Sequence, residues 1–409
     1  MDLEDTPQEA EFRARARAFL DANAEPRKTA AAGDRTFEPN SPALERARAW
    51  QAKKAEAGFA GIRWPEEWGG QGGSAIQEVI WTQEESRYAV PRGVYEIGLG
   101  MCIPTMMAYA SDDQLERYTG PALRGEEIWC QLFSEPASGS DLAGLRTRAV
   151  RDGDEWVING QKIWTSGAHL SDYGILLTRT DPTVPKHKGL TMFFIEMHAP
   201  GVEVRPIHQM SGASHFNEVF FTDLRVSDAQ RLGEVGEGWK VALTTLMNER
   251  LAVGDEPRPD IEDVMAYMQE AQLNGSRAID DPVVRDRLAD WYARSQGVRN
   301  ARFRAISALS RGETPGPESS IGRLVNAGKQ QEMARFAMEV MGQAGVVSDP
   351  EVADKAAAFQ HALLSSPGQR IAGGTSEILR NIIAERVLGL PGDVRVDKDA
   401  AFQDVKQGR

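Results

Sequence analysis

Cysteine, histidine and long hydrophobic runs are scarce in this chain of 409 residues. The two cysteines, Cys102 and Cys130, form no CxxC pair, which argues against a disulfide framework and favours a reducing compartment. The six histidines show no HExxH spacing or i,i+4 pair, so we expect no dedicated metal site. No run approaches the roughly 18 apolar residues that cross a bilayer, and the acidic N-terminus lacks the apolar core of a signal peptide. We therefore expect a cytoplasmic protein without membrane insertion.

Positive charge is also in deficit, since 47 Lys and Arg residues face 60 Asp and Glu residues, a net charge of −13. Binding of nucleic acid requires a concentrated basic surface, and docking to anionic lipid requires basic clusters, so this balance disfavours both. It does not exclude anionic small ligands, which need only a few local Arg or Lys side chains. With 41% apolar residues, the chain can bury a large core and is long enough for two or three domains.

Apolar residues recur with the helical period towards both ends of the chain. In the first 128 residues this pattern predicts helices over residues 9–20, 41–57 and 112–123. After residue 238 it predicts helices over residues 239–253, 283–309, 321–341 and 376–388. The last helix has clear boundaries, because it follows Gly373-Gly374-Thr375 and stops at Gly389 and Pro391.

Residues 129–238 instead show strand character. Asp152-Gly153 and Asn159-Gly160 are dipeptides typical of hairpin turns, and residues 189–197 and 219–226 are typical of strands. We interpret the chain as an α+β protein with an N-terminal helical domain, a central antiparallel β-barrel or sandwich and a C-terminal four-helix bundle. The expected domains are 1–128, 129–238 and 239–391. A polar tail, 392–409, follows, and we expect residues 395–409 to be frayed.

The segment that says most about function is residues 133–144, FSEPASGSDLAG, followed later by Trp164-Thr165-Ser166. Hydroxyls and small residues at strand ends let a flat polar ring approach the backbone and be hydrogen-bonded at its edge. Trp164 can cover one face of such a ring and Ser166 can reach its edge, so the pattern indicates a flavin-binding surface. Taken alone, Trp164 is more often a core aromatic and Ser140 is more often a turn residue.

This segment resembles a signature of the acyl-CoA dehydrogenase family, as do GQKIWTSG at 160–167, GQAG at 342–345 and GGTSEILR at 373–380. The family oxidises acyl-CoA thioesters to trans-2-enoyl-CoA with FAD, so the resemblance implies this reaction and this cofactor. For FAD it implies contacts from Phe133, Ser134, Trp164, Ser166, Thr375 and Glu377. For the substrate it implies a contact of Ser140 with CoA and a pocket at Gly373.

The reaction needs a base within hydrogen-bond reach of the α-proton of the substrate. Many family members carry this base in a Glu-Gly-Thr sequence, but here Gly373 stands at its position, and glycine cannot transfer a proton. Glu249 is the candidate, because helical spacing puts it on one face with Ala242, Leu246 and Val253. Burial in such an apolar stripe would raise the pKa of the carboxyl and prepare it for proton abstraction near neutral pH.

A structural ion pair between Glu249 and the adjacent Arg250 is the alternative. The resemblance favours catalysis, because isovaleryl and long-chain acyl-CoA dehydrogenases place their base on this earlier helix. Those enzymes also have glycine at the position of Gly373. The absence of a carboxylate at position 373 and its presence at position 249 therefore both match the resemblance. The resemblance gives Arg250 a supporting role near the base.

Several positions depart from the family pattern and leave the assembly open. Homotetrameric members hold the FAD pyrophosphate with an Arg-x-x-Phe segment of a neighbouring subunit, which residues 280–296 lack. Arg285 or Arg287 can substitute, or can be solvated helix charges. Glu339 and Glu377 stand where Gln is common in the family. We expect a homo-oligomer (dimer or tetramer) or a heterotetramer with a related subunit, and an electron-transfer flavoprotein as electron acceptor.

The sequence thus predicts an FAD-dependent acyl-CoA dehydrogenase. A branched, long or bulky acyl chain, including a sterol-derived one, is expected because such substrates accompany a base on the earlier helix in the family. An acyl-CoA oxidase or a flavin monooxygenase on the same scaffold is the first alternative; Glu249 argues against the monooxygenase only. A non-catalytic subunit of a hetero-oligomeric dehydrogenase is the second.

Overall fold

The computed structural model describes residues 5–27, 37–251, 259–311, 316–317, 319–394 and 397–405. The α-helices of this part are α1 (Pro7–Asn23), α2 (Pro42–Glu56), α3 (Ala75–Glu85), α4 (Ile103–Tyr109), α5 (Asp112–Arg124), α6 (Gly238–Leu251), α7 (Ile261–Glu270), α8 (Pro282–Ser310), α9 (Ser319–Met341), α10 (Ala358–Gln369) and α11 (Ser376–Ile382). Its strands are β1 (Trp129–Leu132), β2 (Arg148–Asp152), β3 (Glu155–Ser166), β4 (Tyr173–Arg179), β5 (Leu190–Glu196), β6 (Val202–Ile207), β7 (Phe216–Ser227), β8 (Arg231–Leu232), β9 (Gln272–Leu273) and β10 (Ser276–Arg277).

The predicted helices correspond to α1, α2, α5, α6, α8, α9 and α11, with ends that differ by a few residues. Helix α11 is shorter than predicted, because the chain continues beyond it as a π-helical turn, Ile383–Val387. Residues 252 and 253, at the end of the helix predicted over 239–253, lie outside the described residues. Within the described part of the chain, no helix is long and apolar enough to span a membrane.

These elements form two compact units. The helical unit comprises Met1–Gly33, Ala75–Ala89 and Gly254–Asp393, so α1 and α3 group with the C-terminal helices. The sheet unit comprises Asp34–Ser74, Val90–Val253 and Val394–Arg409. It therefore contains the predicted flavin-binding segments and α6 together, whereas Gly373 belongs to the helical unit.

A buried carboxylate joins α1 to α3 in the helical unit. Glu84, in α3, is fully buried and accepts hydrogen bonds from Arg13 Nη1 and Arg17 Nε of α1, each at 2.8 Å. Arg87 Nη1 lies 3.4 Å from the same carboxylate. Burial acts to raise the pKa of Glu84, but the hydrogen bonds from Arg17 and Arg13 outweigh it and hold that pKa below its usual range. The carboxylate therefore stays ionised and fastens the two helices together.

The sheet unit is built on one eight-stranded sheet with strand order β6-β7-β3-β2-β4-β5-β8, and β1 pairs with β4 off this path. Most pairs are antiparallel, but β1 and β2 both pair with β4 in parallel. The prediction of an antiparallel domain is wrong for these two pairs. The β2–β3 hairpin separates β1 from β4 in sequence, so no tight turn forces them to run in opposite directions. Phe193 and Phe194 of β5 pack into separate apolar clusters on the two faces of the sheet.

The two predicted hairpin turns have different outcomes. Asp152 pairs with Glu155 around a tight turn at Gly153, which has φ +64°, so the first prediction is confirmed. Asn159-Gly160 instead lies inside the continuous strand β3, and the second prediction is wrong. At Gly160 the pairing with β7 is irregular, and an added Cβ would lie 2.5 Å from Thr147 Oγ1. The glycine permits close packing of neighbouring strands rather than a reversal of the chain.

The expectation of a frayed tail is wrong for residues 397–405. Phe402 N donates to Val184 O at 2.9 Å, Gln403 N donates to Pro182 O at 3.0 Å, and Ala401 forms an isolated β-bridge with Pro185. The Phe402 ring also covers the guanidinium of Arg179, with Cζ 3.5 Å from the ring centroid. A single aromatic residue in a polar tail thus finds a buried cation to pack against, which composition alone does not predict.

We expect Glu84→Gln to lower the free energy of unfolding by about 2 kcal/mol, because it removes the buried charge that holds two arginines of α1. The folded-state pKa of Glu84 lies below its unfolded value. The stabilisation is therefore complete above the unfolded pKa and is lost as pH falls through the folded pKa. Urea unfolding at about pH 7 and about pH 4 measures both effects. Glu11→Gln, at an exposed position of α1, is the control, and an equal loss there would contradict this role of Glu84.

Candidate active site

The first motif segment follows β1 and lies alongside β3. Phe133 is buried and Ser134 is half-buried. The carbonyl oxygen of Ser134 accepts a hydrogen bond from Ile163 N at 2.9 Å. This bond joins the end of β1 to the strand that carries Trp164 and Ser166. The two parts of the predicted flavin-binding surface, distant in sequence, therefore adjoin each other in the sheet unit.

Trp164 occupies an irregular point of β3, where the pairing with β7 shifts between Lys162 and Thr165. Its φ of +59° is rare for a bulky side chain and persists only where the surroundings enforce it. The indole is 55% exposed and meets the Phe216 ring at right angles, with centroids 5.9 Å apart. The alternative of a core aromatic is therefore wrong. The exposed indole, carried by a strained backbone, lies on the same strand as the half-buried Ser166.

A buried polar network holds this irregular part of β3. The side-chain amide of Asn217, in β7, donates to Thr165 O at 2.9 Å, and Asn217 Oδ1 lies 3.1 Å from His169 Nδ1. The other ring nitrogen of His169 lies 3.0 Å from Phe37 O. Asn217 is fully buried. The network satisfies backbone groups that an undistorted strand would satisfy by ladder hydrogen bonds, so it supports the conformation of Trp164.

Beneath the same surface lies a buried ion pair that our sequence analysis missed. Lys162 is fully buried, and its Nζ donates to Glu135 Oε1 at 2.8 Å and to Phe133 O at 2.9 Å. Glu135 also accepts from Arg146 N at 2.6 Å and Thr147 N at 2.9 Å. A signal for it existed, because strict alternation along β3 puts Lys162 on the same face as the buried Trp156 and Ile158.

Burial dominates the electrostatics of this pair. It lowers the pKa of Lys162 to about 8, against the opposing attraction of Glu135. Burial acts to raise the pKa of Glu135, but the charge and hydrogen bond of Lys162 outweigh it and hold that pKa below its usual range. Both groups are thus charged at neutral pH, and each is the main reason that the other can stay charged inside the protein.

Ser140, the predicted CoA contact, is exposed on the turn between β1 and β2. Ser138, two residues earlier, is buried and its hydroxyl donates to Asp141 O. A short 3-10 turn, Leu142–Gly144, follows. Ser140 is thus a turn residue, and its position on the turn leaves it accessible to a ligand. The two interpretations of this residue are therefore compatible.

Helix α6 carries position 249. Val241, Ala242 and Thr245 are buried on one face of this helix, and Thr245 Oγ1 lies 2.9 Å from Thr105 Oγ1 of α4. Position 249 follows Thr245 by one turn, so helical geometry places it on that face. The side chains of Glu249 and Arg250 lie outside the described residues, as does Val253. Their roles and the expected rise in the pKa of Glu249 therefore stay predictions.

In the helical unit, Gly373 has φ +61° and lies against Arg323 of α9. A Cβ added at Gly373 would collide with that guanidinium, which also donates to the carbonyl oxygen of Ala372. Arg323 thus occupies the space into which a side chain at position 373 would project. A carboxylate at this position would require the arginine to move.

Thr375 and Glu377, two of the predicted FAD contacts, mark the start of α11. Thr375 is the N-cap, and its Oγ1 accepts from Ile378 N at 3.2 Å. Glu377 is exposed, and its Oε1 lies 3.9 Å from Arg380 Nη1. The threonine hydroxyl is therefore engaged in capping, while the glutamate remains accessible. The structure leaves their contacts with FAD as predictions.

Arg287, a candidate substitute for the missing arginine segment, and Glu339, which departs from the family pattern, line one surface cavity of about 300 Å³ between α8 and α9. Arg335 Nε lies 3.0 Å from Glu339 Oε1, so the charge of Glu339 is paired. Arg287 Cζ lies 4.8 Å from the centroid of the Phe336 ring. Arg285 is exposed on α8. A role of Arg285 or Arg287 at the FAD pyrophosphate therefore stays a prediction, beside the alternative of solvated helix charges.

The two cysteines are free and buried. Burial raises the pKa of Cys130 to about 12, and it raises that of Cys102 as well, so neither thiol is poised for nucleophilic chemistry. Among the residues that the structure describes, no three His, Cys, Asp or Glu side chains are grouped so that they could hold a metal ion.

Three family models match the chain in order: the N-terminal domain of acyl-CoA dehydrogenase at residues 6–126, the middle domain at 130–224 and the C-terminal domain at 236–388. The Mycobacterium tuberculosis acyl-CoA dehydrogenase IpdE1 is 37% identical over 94% of this chain and 98% of its own. The chain belongs to the acyl-CoA dehydrogenase family. This membership confirms the predicted order of helical, β-sheet and helical domains and makes the chain an oxidoreductase of a family that binds FAD.

Two further members of the acyl-CoA dehydrogenase family show the range of similarity. Acyl-CoA dehydrogenase FadE34 of M. tuberculosis is 38% identical over 83% of this chain, but the match spans only 46% of FadE34, which is a longer protein. A solved structure, the Tcur3481-Tcur3483 steroid ACAD, superposes with a TM-score of 0.79 at 30% identity, covering 96% of this chain and all of its own.

The residues of the sheet unit fit the FAD of the family. Trp164 presents an aromatic surface in an enforced conformation, and the half-buried Ser134 and Ser166 supply hydroxyls and backbone groups beside it. A flavin ring needs such a flat apolar face with hydrogen-bond partners at its edge. The positive Lys162, which donates to Phe133 O, adds a fixed charge next to the predicted FAD contact of Phe133.

We expect Lys162→Met to lower the free energy of unfolding by about 3 kcal/mol, because it leaves Glu135 buried without its partner. It should also weaken FAD retention, since Phe133 O loses its donor. Combining it with Glu135→Gln should recover part of the stability. Urea unfolding and the fluorescence of released FAD measure the two effects. Lys188→Met, at an exposed position, is the control. Equal stability of Lys162→Met and wild type would contradict the structural role of the pair.

Proposed function

We propose that this protein catalyses α,β-dehydrogenation of an acyl-CoA thioester to trans-2-enoyl-CoA, with Glu249 as the base that removes the α-proton. Bound FAD supplies the acceptor for the hydride of the β-carbon. Phe133, Ser134, Trp164 and Ser166 orient the flavin, and Ser140 contacts CoA. Two observations together carry the proposal. Trp164 presents an exposed indole from a strained backbone beside the hydroxyls of Ser134 and Ser166, and the chain belongs to the family.

The surroundings of α6 support the choice of base. The Thr245–Thr105 hydrogen bond and a second one, Tyr109 OH to Thr244 Oγ1 at 3.0 Å, hold α6 against α4 one turn before position 249. A base must be positioned to well within a hydrogen-bond length to act on a carbon acid. The two hydrogen bonds fasten α6 one turn before position 249, which supports the choice of Glu249 as the base.

The surroundings of Gly373 also support Glu249 as the base. The guanidinium of Arg323 fills the space that a side chain would need, and φ +61° disfavours any residue with a Cβ. A carboxylate at the position that carries it in many family members would therefore need the Arg323 side chain to move and a positive φ in a residue with a Cβ. We propose Gly373 as part of the acyl pocket and Arg250 as a supporting residue beside the base.

A bulky acyl chain suits this arrangement, and we propose a branched, long or sterol-derived acyl group. The similarity to a structure described as a steroid ACAD supports this class. We further propose an electron-transfer flavoprotein as acceptor, and an assembly that is either a homo-oligomer or a heterotetramer. Leu243 and Met247 on α6 and Trp164 on β3 are exposed, as expected for surfaces covered by a ligand or partner. The proposed domain boundaries remain those at 128/129 and 238/239.

We expect Glu249→Gln to slow anaerobic bleaching of the flavin by acyl-CoA about a thousandfold, because the α-proton loses its acceptor. FAD content and stability should stay at wild-type values. Stopped-flow absorbance across a panel of straight, branched and sterol-derived acyl-CoA thioesters measures the rates. Glu237→Gln, an exposed carboxylate at the start of the same helix, is the matched control. Unchanged bleaching in Glu249→Gln would refute the base assignment.

The same assay separates the alternatives. Hydrogen peroxide formed at the rate of substrate oxidation in air would identify an oxidase. A purified chain that is colourless and takes up FAD only with a related subunit would identify a non-catalytic or incomplete subunit.

We expect Gly373→Glu to leave the Glu249→Gln variant below about 1% of the wild-type rate. The new side chain would meet Arg323 and form an ion pair with it instead of reaching the substrate. Gly389→Glu, where φ is also positive at +68° and no atom lies within 4 Å of an added Cβ, reports the cost of backbone strain alone. Recovery of bleaching in the double variant would show that position 373 can still host the base.

A further inference from the structure

The turn that carries Ser140 is held by two basic side chains of the sheet unit. Lys186 Nζ lies 3.0 Å from Asp141 Oδ1, next to Ser140. Arg179, at the end of β4, donates from Nη2 to Ala143 O at 2.6 Å and from Nε to Leu145 O at 3.0 Å. Residues 138–145, which we call the Ser140 turn, therefore depend on these two cations for their position.

Both cations are in turn held by residues 397–405. Lys186 Nζ lies 2.9 Å from Asp397 Oδ2, so one ammonium group bridges Asp141 and Asp397. The ring of Phe402 lies 3.5 Å from Arg179 Cζ. The same C-terminal segment is fixed to the strand connection over residues 182–186 by backbone hydrogen bonds. Each anchor of the Ser140 turn thus has one partner in the C-terminal segment.

Arg179 is the more sensitive of the two anchors. It is 4% exposed, and its guanidinium donates to three backbone carbonyls, of Ala143, Leu145 and Lys186. The planar guanidinium uses its edge for these carbonyls and one face for Phe402, an arrangement that the geometry of arginine allows and that of lysine does not. Without the ring, water would reach that face and compete for the donors that hold the turn.

We propose that residues 397–405 act as a clamp that positions the Ser140 turn and thereby sets the affinity for the CoA portion of the substrate. The proposal rests on the proposed function, which assigns Ser140 to CoA. Phe402 and Asp397 are positioning residues, since they act through Arg179 and Lys186 and not on the substrate.

The test compares full-length Phe402→Ala with wild type by hydrogen exchange and by CoA binding. We expect faster exchange of the amides of residues 138–145. We also expect about tenfold weaker binding of CoA and a matching rise in the KM for acyl-CoA, equivalent to about 1.4 kcal/mol. The turnover number at saturation and the KM for an acyl thioester of N-acetylcysteamine, which lacks the nucleotide, should change less than about twofold. Phe402→Tyr should restore binding, because its ring can still cover Arg179.

Two further variants complete the design. Gln403→Ala shortens an exposed neighbour whose contact is made by its backbone, and it should leave exchange and binding unchanged. Asp397→Asn removes one partner of Lys186 without disturbing a core, and it should speed exchange in the Ser140 turn if Phe402→Ala proves too unstable to purify.

Unchanged exchange of residues 138–145 in Phe402→Ala and Asp397→Asn would overturn the clamp, whatever the substrate of the enzyme. Faster exchange with unchanged CoA affinity would overturn its role in CoA binding. Failure of wild type to oxidise any acyl-CoA, with normal CoA binding, would count against the proposed function and leave the clamp standing on its own two measurements.

Discussion

The buried ion pair between Lys162 and Glu135 is the interaction on which the proposed flavin-binding surface depends. One ammonium group holds the carbonyl of Phe133 and the carboxylate of Glu135, and that carboxylate holds two backbone amides at the entry to β2. The end of β1, the middle of β3 and the start of β2 therefore meet at a single pair of charges. Because each charge is buried, the loss of either partner strands the other, so the pair favours one arrangement of these three segments.

Strain and support occur side by side on this surface. Trp164 adopts a backbone conformation that a bulky residue avoids, and the Asn217–His169 network, buried one residue away, satisfies the distorted strand. A protein keeps such a conformation when the displayed side chain matters more than regular pairing. The buried polar residues thus hold the backbone of Trp164 in the conformation that keeps its aromatic face exposed.

Much of the architecture could be predicted from sequence because it depends on local periodicity. Helix α5, for example, follows the helical spacing of its buried residues Leu115, Thr119 and Ala122, and the resemblance of the motifs identified the family and its candidate residues. The failures all involve contacts between distant segments. Asn159-Gly160 has the composition of a turn, yet Gly160 is needed for close packing against Thr147. Lysine is usually a surface residue, yet Lys162 is buried because it pairs with Glu135, which lies 27 residues earlier in the chain.

The division into two units bears on the proposed position of the base, at residue 249 and not at residue 373. The strands around Trp164 and helix α6 belong to one compact unit, whereas Gly373 belongs to the other. On the proposed assignment, the spacing between the proton acceptor and the floor of the flavin site is an internal dimension of a single body. A carboxylate at position 373 would instead belong to a different compact unit from Trp164.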